Sequence, residues 1–296
     1  MKIIHPLILF IALSWCCQEN RNSDNSKNEY PLFTTRLDLP ERSSNAYSGS
    51  ALAEILKPLS LKDREERIYS EIMSGNIPPF LRQLKPVSVS VAVGNTIWNL
   101  IIHVTADYMA LGSDEDYFII PMTPIIAQEI ANAIGVIMIT RKMVNDIWLQ
   151  ADLQLDPITI KQSQEMVSIP VFSDHNSLIW SQRQDNIDLN PLGALVSGHK
   201  KDVILSNRIL ENQDKVLIYG WHRGNGQPIQ PLYSGHINWY ADYSHGIRFA
   251  LSECSVNGEK RNVEELLKDP QLYHLLSDED GPMMMTRYPA NKSSYP

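Results

Sequence analysis

Residues 87–105 read VSVSVAVGNTIWNLIIHVT, and this stretch decides the fold class. Valine alternates with serine and alanine from Val87 to Val93, which places every second side chain on one face and marks a half-buried strand. Gly94 and Asn95 supply the turn, and residues 96–105 carry the β-branched and aromatic residues of a hairpin partner. Shorter strands are expected at 117–121, 167–172, 194–196, 203–205, 215–219 and 248–251. Helical spacing appears at 52–74, broken by Pro58, and at 140–149. A helix capped by Thr123, opened by Pro124 and stopped by Gly135 is expected at 124–133. Asp174 reads as the cap of a helix at 175–184, and short helices close the chain at 263–267 and 271–276. Strands outnumber long helices, and the helices group in the middle. The pattern predicts an α+β fold with a mainly antiparallel sheet in a single domain over 49–285, followed by a disordered tail at 286–296.

The ends of the chain speak to location. Lys2 precedes an apolar run from Ile3 to Trp15 that is too short to cross a bilayer as a helix and has the form of a secretory signal. Leu13-Ser14-Trp15-Cys16-Cys17 resembles a bacterial lipobox, with Trp15 standing where that motif has a small residue. The resemblance implies a signal peptide over 1–16, lipidation of Cys16 and attachment to the membrane through the lipid. Residues 17–48 are rich in Asn, Ser, Asp, Glu, Lys and Arg, a composition that buries too little apolar surface to offset chain entropy, so a flexible tether is expected there. An exported, membrane-anchored envelope lipoprotein follows from these readings. The formal charge of −8 argues against a nucleic-acid partner. Of three cysteines, only Cys254 lies in the folded part, which leaves no disulfide framework and reads as a small buried hydrophobe.

Residues 216–251, VLIYGWHRGNGQPIQPLYSGHINWYADYSHGIRFAL, concentrate the candidate chemistry. His222, His236, Asp242, His245 and Arg248 are groups that donate, accept or move protons, gathered among turn-formers and aromatics. They are the candidate catalytic residues of a hydrolase acting on a cell-wall or glycan substrate, with His245 beside Asp242 as an imidazole–carboxylate pair. Lys201, Gln227, Gln230, Trp239 and Tyr240 are candidates for binding the substrate. The alternative is a non-catalytic glycan- or peptidoglycan-binding protein, in which aromatic rings stack on sugars and the histidines only hydrogen-bond. Adjacent Ser244 and His245 on a strand point to opposite faces, which counts against a serine nucleophile. His236, Asp242 and His245, with His222 as a fourth ligand, could instead hold a divalent metal such as zinc. The acidic turn at 113–116 lacks calcium-loop spacing, and residues 223–227 read as a hairpin turn.

Several of these residues resemble known motifs. Ser244-His245-Gly246-Ile247-Arg248 is similar to the Ser-His-Gly-Cys-Ile-Arg signature of L,D-transpeptidases, with Gly220 and His222 upstream where that family has His-Gly. The nucleophilic cysteine is missing between Gly246 and Ile247, so the family's thiol mechanism is not implied here. His236 and Asp242 resemble the His-x6-Asp pair of zinc D,D-peptidases, one residue short and without its downstream partner. Asp107 to Gly112, Arg141 to Val144, Lys200-Lys201-Asp202 and Asp242 to Gly246 together resemble a family of uncharacterised exported bacterial lipoproteins. That resemblance covers most of the mature chain and implies one domain with no established activity.

Overall fold

A computed structural model describes residues 35–296. The expected signal peptide, the lipobox-like residues with Cys16 and the first part of the expected tether lie outside the described residues. The 87–105 hairpin forms as its pattern demands. Lys85–Val93 pairs antiparallel with Thr96–Val104 in unbroken register, Val91 opposite Trp98 and Val89 opposite Leu100. On the other side of Thr96–Val104 run Glu253–Val256 and Phe249–Leu251, with Glu259–Asn262 and Val136–Met138 beyond them. All six strands are antiparallel.

A second sheet orders Pro228–Tyr233, Ile218–His222, Lys201–Val203 and His245–Gly246, the last pair parallel. Two small ribbons, Ala110–Gly112 with Tyr117–Ile119 and Leu153–Gln154 with Val196–Ser197, complete the strands among the described residues. The expected α+β class with a mainly antiparallel sheet holds, in a single domain.

Helix Pro124–Ile134 starts at a Thr123 cap whose side chain accepts from Ile126 N, and stops where Gly135 takes a left-handed φ of 69°. Helix Arg141–Gln150 follows and packs on Ile218–His222. One expected strand is a helix instead. Residues 164–167 form a short 3₁₀ turn, and Ile169–Gln184 is a single helix. Pro170 sits in its first turn, where a missing N–H costs nothing, and a short apolar run alone does not separate a strand from a buried helix. Asp174 lies inside this helix, not at its cap.

Both ends of the domain are longer than the composition suggested. Residues 35–48 pack on the domain rather than forming tether. Leu37 is buried, Arg36 bridges to Gln83, and the buried Arg82 guanidinium donates to Leu39 O, Pro40 O and Gly75 O. The tail is also ordered against the fold. Tyr288 is buried, its hydroxyl accepting from Leu217 N at 2.9 Å and donating to Ile204 O at 2.7 Å. Arg287 and Lys292 pair with Glu264 and Glu129. Among the described residues no helix is long and apolar enough to cross a membrane.

Candidate functional site

The site is built on the second sheet. In the parallel pair Lys201 faces His245 and Asp202 faces Gly246, so Lys201 and His245 leave one face and Asp202 leaves the other. Trp221 joins the Lys201 face by an unusual route. It holds a left-handed φ of 59°, fixed by Trp221 N to Lys200 O and by its indole N–H to His199 O, each 3.1 Å. A bulky residue in this region costs roughly 1–3 kcal/mol and persists only where its surroundings over-determine it. The turn of the backbone lays Trp221 under the Lys201 ammonium, 4.9 Å from the ring centre, and sends His222 to the opposite face.

On the first face five candidate residues meet. His245 is fully buried, and neither ring nitrogen has a hydrogen-bond partner. Its Nε2 lies 4.0 Å from Asp242 Oδ2. Asp242 Oδ1 accepts from Ser244 N at 2.8 Å and Ser244 Oγ at 2.5 Å, and Oδ2 accepts from the Tyr240 hydroxyl at 3.2 Å. Tyr240 stacks on His236 at 4.1 Å and stands edge-on to His245 at 5.8 Å, so its half-buried ring covers the imidazole. Burial lowers the His245 pKa to about 4, with Asp242 opposing, so the ring is neutral at pH 7. Burial alone would raise the Asp242 carboxyl, but His245, Lys201 and the Ser244 hydrogen bonds outweigh it and hold it at about 2. Burial also lowers Lys201 and His236.

The second face holds a different set. Asp202 is buried, its Oδ2 accepting from the Tyr108 hydroxyl at 2.9 Å and its Oδ1 without a partner, and burial pushes its pKa up to about 7. His222 belongs here, not with Asp242 and His245. Its Nε2 contacts Asn145 Oδ1 at 3.1 Å, and its ring stacks on Trp148 at 5.5 Å. Arg248 is a structural cation. It stands where the chain passes from the small sheet to the large one, donating to Thr105 O and Val196 O at 2.6 Å each beneath the Tyr108 ring. The expected single cluster of His222, Asp242, His245 and Arg248 is therefore two clusters and a brace.

Among the substrate candidates, Lys201 and Tyr240 are in the site. Gln230 lies in register with Gly220, one strand from Lys201, with its amide on Pro231 O. Gln227 is exposed in the 223–227 turn, which closes the hairpin as expected through Arg223 N to Gln227 O, and Trp239 is half-buried. No group of three or more His, Cys, Asp or Glu among the described residues is arranged to hold a metal ion. His236, Asp242 and His245 adjoin one another, yet Asp242 is engaged by Ser244 and Tyr240, and the fourth ligand is on the other face. This donor set does not fit zinc.

The sequence pattern gave little sign of a buried network behind the site. Lys200 is fully buried and donates to Tyr243 O at 2.5 Å, with His175 Nδ1 at 3.1 Å, fixing the main chain beside Asp242. His199 Nε2 lies 3.2 Å from Asp107 Oδ1. The only signal for these was that Lys200, Lys201 and Asp202 run into a strand, where neighbours must part to opposite faces. No protein-family model, no curated protein and no solved structure matches the chain.

Proposed function

We propose that the protein is an envelope-anchored hydrolase acting on a cell-wall or glycan substrate, in which His245 activates water. The observation that carries this reading is a fully buried imidazole with two unpartnered nitrogens beside an ionised carboxylate. Buried polar atoms are nearly always satisfied, so two unpartnered nitrogens on His245, as on His199 beside Asp107, call for a ligand, a reaction or an ordered water to complete their bonding. His245 is neutral near pH 7 and can take a proton from water. The imidazolium then formed faces Asp242 Oδ2, which a movement of about 1 Å would bring to hydrogen-bond distance. Lys201 stands on the same face to stabilise negative charge developing on the substrate. Water is the nucleophile in this scheme. Ser244 Oγ is committed to Asp242, and Cys254 is buried in the other sheet with its thiol pushed up to about 12 by burial.

The cell-wall or glycan assignment rests on the lipobox-like N-terminus and on the aromatic rim. Tyr233, His236 and Tyr240 put partly exposed rings at the edge of the site, a surface of the kind on which sugars stack. The same rim supports the alternative of a binding protein without turnover. Incubation with purified cell-wall sacculi and with soluble glycans, followed by chromatography of released fragments, separates the two. Wild type should release fragments, Cys254→Ala should match it, and His245→Asn should be slower by roughly a hundredfold, the scale for losing a general base. Co-sedimentation with sacculi without release of fragments would reject catalysis in favour of binding.

A further inference from the structure

We propose that the Lys201 face is an anion-binding site and that the substrate seats a carboxylate or phosphate group there; the word substrate rests on the hydrolase reading, the anion site does not. The argument begins with how this fold treats its buried cations. Arg82, Arg183, Lys200 and Arg248 each donate to main-chain carbonyls. Lys201, half-buried beside them, differs. Its ammonium makes no hydrogen bond or close ion pair to any described residue; it lies 4.9 Å from the centre of the Trp221 ring and feels the Asp242 carboxylate only through space. An ammonium carries three donors, and a cation–π contact satisfies none of them.

Its register partner repeats the pattern. His245 projects from the same face, is fully buried, and offers an imidazole with no partner on either nitrogen. The one carboxylate nearby is occupied: Asp242 receives Ser244 N, Ser244 Oγ and the Tyr240 hydroxyl. The face therefore holds the three uncommitted N–H donors of Lys201 and one N–H of the neutral His245 ring, whose other nitrogen is a free acceptor, beside a carboxylate that is already engaged. The Lys201 donors are completed by an acceptor-rich anion, not by a cation or an apolar group. A ligand reaching His245 must displace the Tyr240 ring, whose tie to the site is the 3.2 Å bond to Asp242.

Inorganic phosphate and acetate, at constant ionic strength in chloride, are the probes. The histidine ring resonances of the wild type are followed by NMR, alongside Lys201→Gln and Lys201→Arg. One anion or the other should move the His245 and His236 signals saturably. Lys201→Gln should weaken that binding at least tenfold, and Lys201→Arg should keep it. A preference for phosphate assigns the substrate group as a phosphate ester, and a preference for acetate assigns a carboxylate. Wild-type rings indifferent to both anions, or undiminished binding in folded Lys201→Gln, would overturn the proposal. Because the readout needs no turnover, a protein that binds anions yet releases no cell-wall fragments loses only the hydrolase reading.

Discussion

Gly246→Ala should destabilise the protein severely. Glycine-to-alanine changes stabilise a chain by about 0.4–1 kcal/mol through the unfolded state when the native backbone tolerates them. Here the space is taken. An added Cβ would stand 2.5 Å from Tyr108 Cδ1 and 2.8 Å from both Lys200 Cβ and Tyr108 Cε1, against normal carbon contacts of about 3.5–4.0 Å. None of these atoms can retreat. The Tyr108 ring is buried between the Arg248 guanidinium at 4.6 Å and the His199 ring at 4.9 Å, with its hydroxyl on Asp202. Overpacking of a rigid site costs about 1–3 kcal/mol, and this clash belongs at the upper end. That exceeds the entropic gain, leaving a net loss of about 2 kcal/mol. At about 2–4 °C per kcal/mol for a domain of this size, Tm should fall by roughly 4–8 °C. Calorimetry of Gly246→Ala alone and in a Tyr108→Leu background measures the effect. A Tm within about 1 °C of wild type, or the same loss after Tyr108 has been shortened, would refute the reasoning.

Asp202 should make stability fall as pH rises. Its folded pKa of about 7 lies above the ordinary 3.8, so between those values the folded state holds a proton that the unfolded state has released. Stability contributed by that proton is complete below about pH 4 and lost by about pH 7, at up to about 1.4 kcal/mol per pH unit. The Tm difference between wild type and Asp202→Asn should therefore shift in favour of the variant across this window, and a difference that stays constant with pH would sink the idea. For the anchor, Cys16→Ser should move the protein from the membrane fraction to the soluble fraction; a wild type that is already soluble after fractionation contradicts a lipid anchor.

How much was legible from sequence follows from the range of each interaction. The 87–105 hairpin and helix Pro124–Ile134 were readable because alternation, turn residues and caps act between near neighbours. The split of the candidate site was not. His222 parts from Asp242 and His245 because Trp221 takes a left-handed backbone, and nothing local to a tryptophan announces this. Its cause is the long-range pair of hydrogen bonds to Lys200 O and His199 O. Arg248 looked catalytic because it falls within a stretch dense in histidine and charge, whereas its partners are two carbonyls far along the chain. Residues 35–48 and 286–296 misled for a related reason: polar composition reports solvation, yet one Leu37 or Tyr288 finding a pocket is enough to dock a segment.

The order of Lys200, Lys201 and Asp202 has a meaning that their composition lacks. Lys200 is a main-chain fastener, Lys201 faces the Trp221 ring, and Asp202 answers Tyr108 on the reverse. Permuting them to Lys-Asp-Lys would leave mass, net charge and hydropathy unchanged. It would nonetheless place an acid under the aromatic ring and a cation against the phenol. Deleting any one residue between Gly198 and Val203 would turn the strand over and exchange the two faces wholesale. This segment should therefore accept some substitutions in drifting descendants of the chain while refusing every change of length, so that its spacing outlives its spelling.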